Sequence, residues 1–167
     1  MSTLKKSSWC LSLISGIIGS LAMYFLMKLG ISKGFAPFNV PPSAAMTIKM
    51  GLELEPLALI IHLVYGALGS LVMIGIFKTR SSIKTGLIFA FMLWLLFMMI
   101  YSPIIGWGFF GFGEASNLAE NDPLYLESGL KFLWVTLVLH IVYGIVIGLL
   151  NKAFAKKEHV NVYQSRS

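Results

Sequence analysis

The sequence predicts an all-α membrane protein, a four-helix transmembrane bundle built from two tandem, parallel helix-pair repeats. Three observations predict it. Of the 167 residues, 57% are apolar and only 12% are charged, a balance far from that of soluble domains. Four runs, 9–29, 57–77, 85–105 and 132–150, each come close to the roughly 20 residues a helix needs to cross hydrocarbon. Finally, His62-Leu-Val-Tyr65-Gly66 returns as His140-Ile-Val-Tyr143-Gly144, and Ser15-Gly16-Ile17-Ile18 is answered by Thr85-Gly86-Leu87-Ile88. A single membrane domain over 1–167 follows, with repeat one at 9–77, repeat two at 85–150 and a tail at 151–167.

The first span, 9–29, follows Lys5-Lys6 and resembles a signal peptide with a cleavage site near Ser20-Leu21-Ala22. Its hydrophobicity persists through Leu29, too long for a removable segment, so an uncleaved span is expected. Cys10 is the only cysteine, which excludes an internal disulfide and a multi-cysteine metal site.

The loop 30–56 contains Pro37 and Pro41-Pro42, which favour an extended path. Ser43 is expected to cap a short helix running to about Leu54, with Ala45, Met46, Ile48 and Leu52 on its apolar side. Such a helix is expected to lie on the outer membrane surface. The second span, 57–77, carries the first His-x-x-Tyr-Gly motif.

A short loop with Lys78, Arg80 and Lys84 leads to the third span, 85–105, whose Met92, Met98 and Met99 read as packing or lipid-facing residues. The loop that follows opens on Gly and aromatic residues, Gly106 to Gly113. That composition suits a collar at headgroup depth, with Trp9, Trp107 and Trp134 as interface anchors. Its acids, Glu114, Glu120, Asp122 and Glu127, match no calcium-loop spacing and read as a solvated face. The fourth span, 132–150, bears the second motif, and 151–167 reads as a flexible, basic tail near anionic headgroups.

The formal charge of +6 is distributed for topology and does not mark a nucleic-acid surface. Lys5, Lys6, Lys78, Arg80, Lys84, Lys152, Lys156, Lys157 and Arg166 face a single acid, Glu158, on one side. The acids collect in the two long loops. Positive-inside bias therefore puts both termini in the cytoplasm of an inner membrane and both long loops outside.

Two repeats of equal orientation imply a pseudo-twofold axis along the membrane normal, with His62 about 8 Å and His140 about 12 Å below the outer span ends at 1.5 Å per residue. Small pairs recur in every span: Gly16 with Ser20, Gly66 with Ser70, Gly86 with Ala90, Gly144 with Gly148. In lipid, such pairs let helix backbones approach and supply contact that the hydrophobic effect cannot.

The Gly-rich first span with Gly16 and Gly19, the Pro41-Pro42 loop, and the span bearing His62, Tyr65 and Gly66 resemble a group of small bacterial four-span inner-membrane proteins of unknown function. The resemblance implies a location and an architecture and transfers no activity.

His62 and His140 stand away from the span ends, where an ionisable side chain is a functional candidate by default. Tyr65 and Tyr143 lie three residues on, on the same helix face, and Gly66 and Gly144 open space beside them. One reading makes the histidines interhelical glue, each bonding a tyrosine or a backbone carbonyl across the bundle. A second makes them axial ligands of heme b, with the glycines leaving room for the porphyrin plane. A third is a proton, metal or solute path in a small dimeric transporter. Two histidines without a neighbouring carboxylate or cysteine fall short of a transition-metal site. With no hydrolase, nucleotide-binding or metalloprotease signature, the leading expectation is a non-catalytic accessory or interaction subunit. Its partners are the bilayer and a second copy or a larger membrane complex.

Overall fold

The computed structural model describes residues 6–52, 55–127 and 129–164, and among them it is helical with no sheet. The helices are α1 (Lys6–Ser32), α2 (Pro42–Lys49), α3 (Glu55–Phe77), α4 (Ile83–Leu96), α5 (Ser102–Ile104) and α6 (Leu130–Gln164). Four segments, Ser8–Ser32, Pro56–Phe77, Ile83–Ile104 and Leu130–Phe154, are long and apolar enough to cross a membrane.

The helices are ordered α3, α1, α6, α4 across the bundle. α1 packs along α3, α4 along α6, and α1 along α6, whereas α3 and α4 scarcely touch. The close pairs rest on glycine. A Cβ on Gly16 would collide with the Gly66 carbonyl, and one on Gly66 with Ser20. In the other pair, a Cβ on Gly86 would collide with the Gly144 carbonyl, and one on Gly144 with Ala90 and Gly86. The small residues thus let two backbones meet where any side chain would separate them.

Ser82 starts α4 by a capping box in which its side chain accepts from the Thr85 amide and Thr85 accepts from the Ser82 amide. The third span is not a uniform helix. Pro103 has no N–H to offer the carbonyl one turn back, and the preceding turn, Phe97–Tyr101, widens into a π-helix before α5.

The two long loops interlock over one end of the bundle. Phe38 and Leu126 form an isolated antiparallel bridge, and the Glu127 amide donates to the Pro37 carbonyl at 2.7 Å. Asn39 Nδ2 donates to the carbonyls of Glu120 and Asp122 at 2.7 and 2.8 Å. Beneath them Trp107 stacks on Phe38 at 5.5 Å between ring centroids, meets the edge of Phe132 and donates its indole N–H to Leu124. Asp122 closes its own turn by accepting from the Leu124 amide, and Glu127 pairs with Lys131.

Several sequence expectations change. Trp107 is fully buried and no interface anchor, because the glycines around it turn the chain inward: Gly106, Gly108 and Gly111 all have positive φ. Trp9 and Trp134 remain exposed. Ser43 does not cap α2; Pro41 takes the N-cap position, Pro42 starts the helix and Ser43 turns inward. α2 stops at Lys49, before Gly51 in the left-handed region, and packs on α3; Glu53 and Leu54 lie outside the described residues. The tail expected from 151 onward is helical to Gln164, and Asn151 is buried inside the bundle; 165–167 lie outside the described residues.

Gly144→Leu should push α6 from α4 and destabilise the protein by about 1–3 kcal/mol, the usual range for overpacking. Gly75→Ala, whose Cβ would meet only Trp9 at an ordinary 3.6 Å, should leave stability unchanged. Reversible unfolding in mixed detergent micelles measures both.

Candidate functional site

Because α3 and α4 splay apart, the bundle is hollow beneath the loop cap. A cavity of about 290 Å³ lies there, lined by residues of α1, α3, the α4 to π-helix segment, α6 and the start of α2. His62 and His140 both line it, so the two copies of the motif converge on one space. Apart from Ser43 and Thr136, its other walls are apolar or aromatic, among them Met23, Leu93, Phe97 and Leu139. Tyr65, Leu96 and Ile100 line the cavity and are also well exposed, which places its mouth between α3 and α4.

Each imidazole is anchored by a backbone carbonyl, which can only accept. His62 donates Nε2–H to the Ser20 carbonyl of α1 at 3.1 Å, and Tyr24 packs on its ring. His140 donates Nδ1–H to the Thr136 carbonyl of its own helix at 2.8 Å, with Phe97 against the ring. The carbonyls therefore set opposite tautomers, leaving Nδ1 of His62 and Nε2 of His140 as acceptors. His62 bonds across the bundle in the manner of interhelical glue. His140 does not, because the carbonyl one turn back on α6 reaches it first.

The tyrosines also part ways. Tyr143 is buried and crosses to α3, donating its hydroxyl to the Gly66 carbonyl at 2.5 Å. It lies in a slot left by Gly19 and Gly69, where added Cβ atoms would stand 3.0 Å from its ring and 2.8 Å from its hydroxyl. Tyr65 is 42% exposed at the cavity mouth, and among the described residues no group hydrogen-bonds its hydroxyl. Gly66 and Gly144, expected to open space beside the histidines, are filled by the neighbouring helices instead.

This geometry suits a porphyrin poorly. The cavity is about twice an engineered ~150 Å³ cavity that holds benzene. The only free nitrogen of His62, Nδ1, adjoins the ring's own Cβ, which would press on a macrocycle coordinated there. Among the described residues, no group of three or more His, Cys, Asp or Glu side chains is placed to hold a metal ion.

Three polar features have roles the sequence does not show, Ser43 reading there only as a helix cap. Ser43 lines the cavity, is 4% exposed, and among the described residues its hydroxyl has no hydrogen-bond partner. Tyr101, on the π-helix, donates to the Pro42 carbonyl at 3.2 Å and so ties α2 to the cavity rim. At the opposite end of the bundle Ser12, Ser70 and Asn151 form a buried cluster: Ser12 and Ser70 hydroxyls lie 2.9 Å apart, and Asn151 Nδ2 donates to Ser70 at 3.0 Å. An Asn just past an apolar run is the one signal that hinted at this cluster, and it reads equally as a helix end.

No family model, no curated protein and no solved structure matches this chain.

Tyr143→Phe should cost about 0.6 kcal/mol, the average for a hydrogen bond between membrane helices, whereas Tyr65→Phe should cost nothing. Parallel unfolding curves of the two variants check the difference.

Proposed function

We propose that this is a multi-pass protein of a bacterial inner membrane that acts without catalysis, as an accessory subunit holding a small apolar molecule taken from the bilayer. The cavity carries the reading: it is apolar, roofed by the interlocked loops and open to the side between α3 and α4. An apolar pocket with a few convergent polar groups is the usual form of a small-molecule site. A mouth flanked by exposed Leu96 and Ile100 suits a ligand that arrives through hydrocarbon.

The orientation we propose has both termini in the cytoplasm and the loop cap outside, on the distribution of Lys and Arg along the chain. The two helix pairs are tandem repeats, supported by the matched contacts of Gly16 on Gly66 and Gly86 on Gly144. The repeat symmetry is broken where α1 meets α6 closely and α3 leaves α4. Around most of the bundle, exposed Phe25, Ile60, Leu68, Val72, Ile88 and Val138 make lipid the principal partner.

n-Octylbenzene supplied at about 100 times its Kd should stabilise the purified protein by about 2.7 kcal/mol. Leu139→Trp, which fills the cavity from α6, should abolish the gain while keeping the helix content. Thermal unfolding in a mild detergent measures it, and the absence of any gain in the unaltered protein would overturn the proposal.

A further inference from the structure

The polar groups around the cavity are unequal in kind, and the inequality describes a ligand. Both free imidazole nitrogens are acceptors, because backbone carbonyls hold the other N–H of each ring. Thr136 and Tyr101 also line the cavity, but their hydroxyl hydrogens are already committed, to the Phe132 and Pro42 carbonyls. Two hydroxyls remain: Tyr65 stands 42% exposed at the mouth, and Ser43 is buried, unpartnered among the described residues and able both to donate and to accept. A cavity so arranged leaves a buried guest with two acceptors and one buried hydroxyl to satisfy, and a second hydroxyl at the mouth. Burial makes each unmet polar group costly, so a guest that supplies a donor is favoured over one that does not.

Shape narrows the class. The cavity is about twice a ~150 Å³ benzene-sized one, which accommodates one substituted ring. Its walls include the rings of Phe38, Tyr65, Phe97 and Tyr101, which favour an aromatic guest through offset or edge contacts. The lateral mouth gives an alkyl tail a way into lipid.

We propose that the cavity binds the hydroxylated aromatic head of a membrane-dissolved amphiphile, a phenol or quinol. Its O–H donates to His140 Nε2, its oxygen accepts from Ser43 Oγ, and its tail leaves between α3 and α4. This rests on the apolar-ligand reading of the cavity. It also assigns the anchoring carbonyls a purpose: Thr136 and Ser20 keep the imidazoles presented as acceptors.

The test compares 4-octylphenol with n-octylbenzene, which has the same ring and tail and no hydroxyl, on the full chain in mild detergent. Binding is measured by thermal stabilisation and by native mass spectrometry. The His140→Phe variant keeps an aromatic of similar size and removes the acceptor. Its affinity for 4-octylphenol should fall about tenfold, the weight of one buried hydrogen bond, with that for n-octylbenzene unchanged. Because each compound is compared with itself across variants, partitioning into detergent cancels. Ser43→Ala, in the short helix α2 outside the four spans, should also selectively weaken the phenol, and it supplies the reading if His140→Phe does not fold. If both compounds bind and neither variant discriminates between them, hydroxyl recognition is wrong while the apolar cavity stands. If neither compound binds the unaltered protein, the cavity reading fails and this inference with it.

Discussion

Backbone-to-backbone approach at glycine is the constraint on which the rest depends. Gly16 against Gly66 and Gly86 against Gly144 bring each helix pair to a separation that no other residue permits, and one carbonyl occupies the place where the facing Cβ would be. Helices long and apolar enough to cross a membrane gain no hydrophobic reason to associate in lipid, where close van der Waals contact and hydrogen bonds must do it. Once the two pairs are locked in this way, α1 and α6 meet through Gly19 and Tyr143. The opposite helices are then left apart, and the gap between them is the cavity.

The loop cap and the π-helix complete that cavity. Pro103 leaves a carbonyl of the preceding turn without its usual donor, and the wider turn before it presents Phe97 and Tyr101 to the cavity and Ile100 to its mouth. Tyr101 then fastens the start of α2, and α2 in turn delivers Ser43. At the other end, Ser12, Ser70 and Asn151 close the bundle with hydrogen bonds among small polar side chains, which allow close packing where a larger group would pry the helices apart.

A five-residue pattern that occurs twice does not carry the same chemistry twice. His62 and His140 occupy equivalent motif positions, but His62 finds a carbonyl on a neighbouring helix and His140 one on its own. Tyr143 becomes a buried strut, while Tyr65 is left at the cavity mouth. The difference follows from neighbours: α6 is an inner helix, flanked by both α1 and α4, whereas α3 stands at the edge of the row.

Four long apolar helices, the loops between them and the small residues at their contacts are legible in the residues alone. Each of these follows from local composition and from the period of the helix. So are His62 and His140, because a polar group inside an apolar span is rare enough to stand out. That both histidines line one cavity, which tautomer each adopts, and that the two loops lock together through Phe38, Trp107 and Leu126 emerge from the packing. So do the inward turn of Ser43 and the place of Asn151 in the core. Those outcomes depend on which helix stands beside which, and on backbone carbonyls whose positions are set by packing between segments distant in the chain. A lone Ser after two prolines reads as a cap until a neighbouring helix claims the space around it.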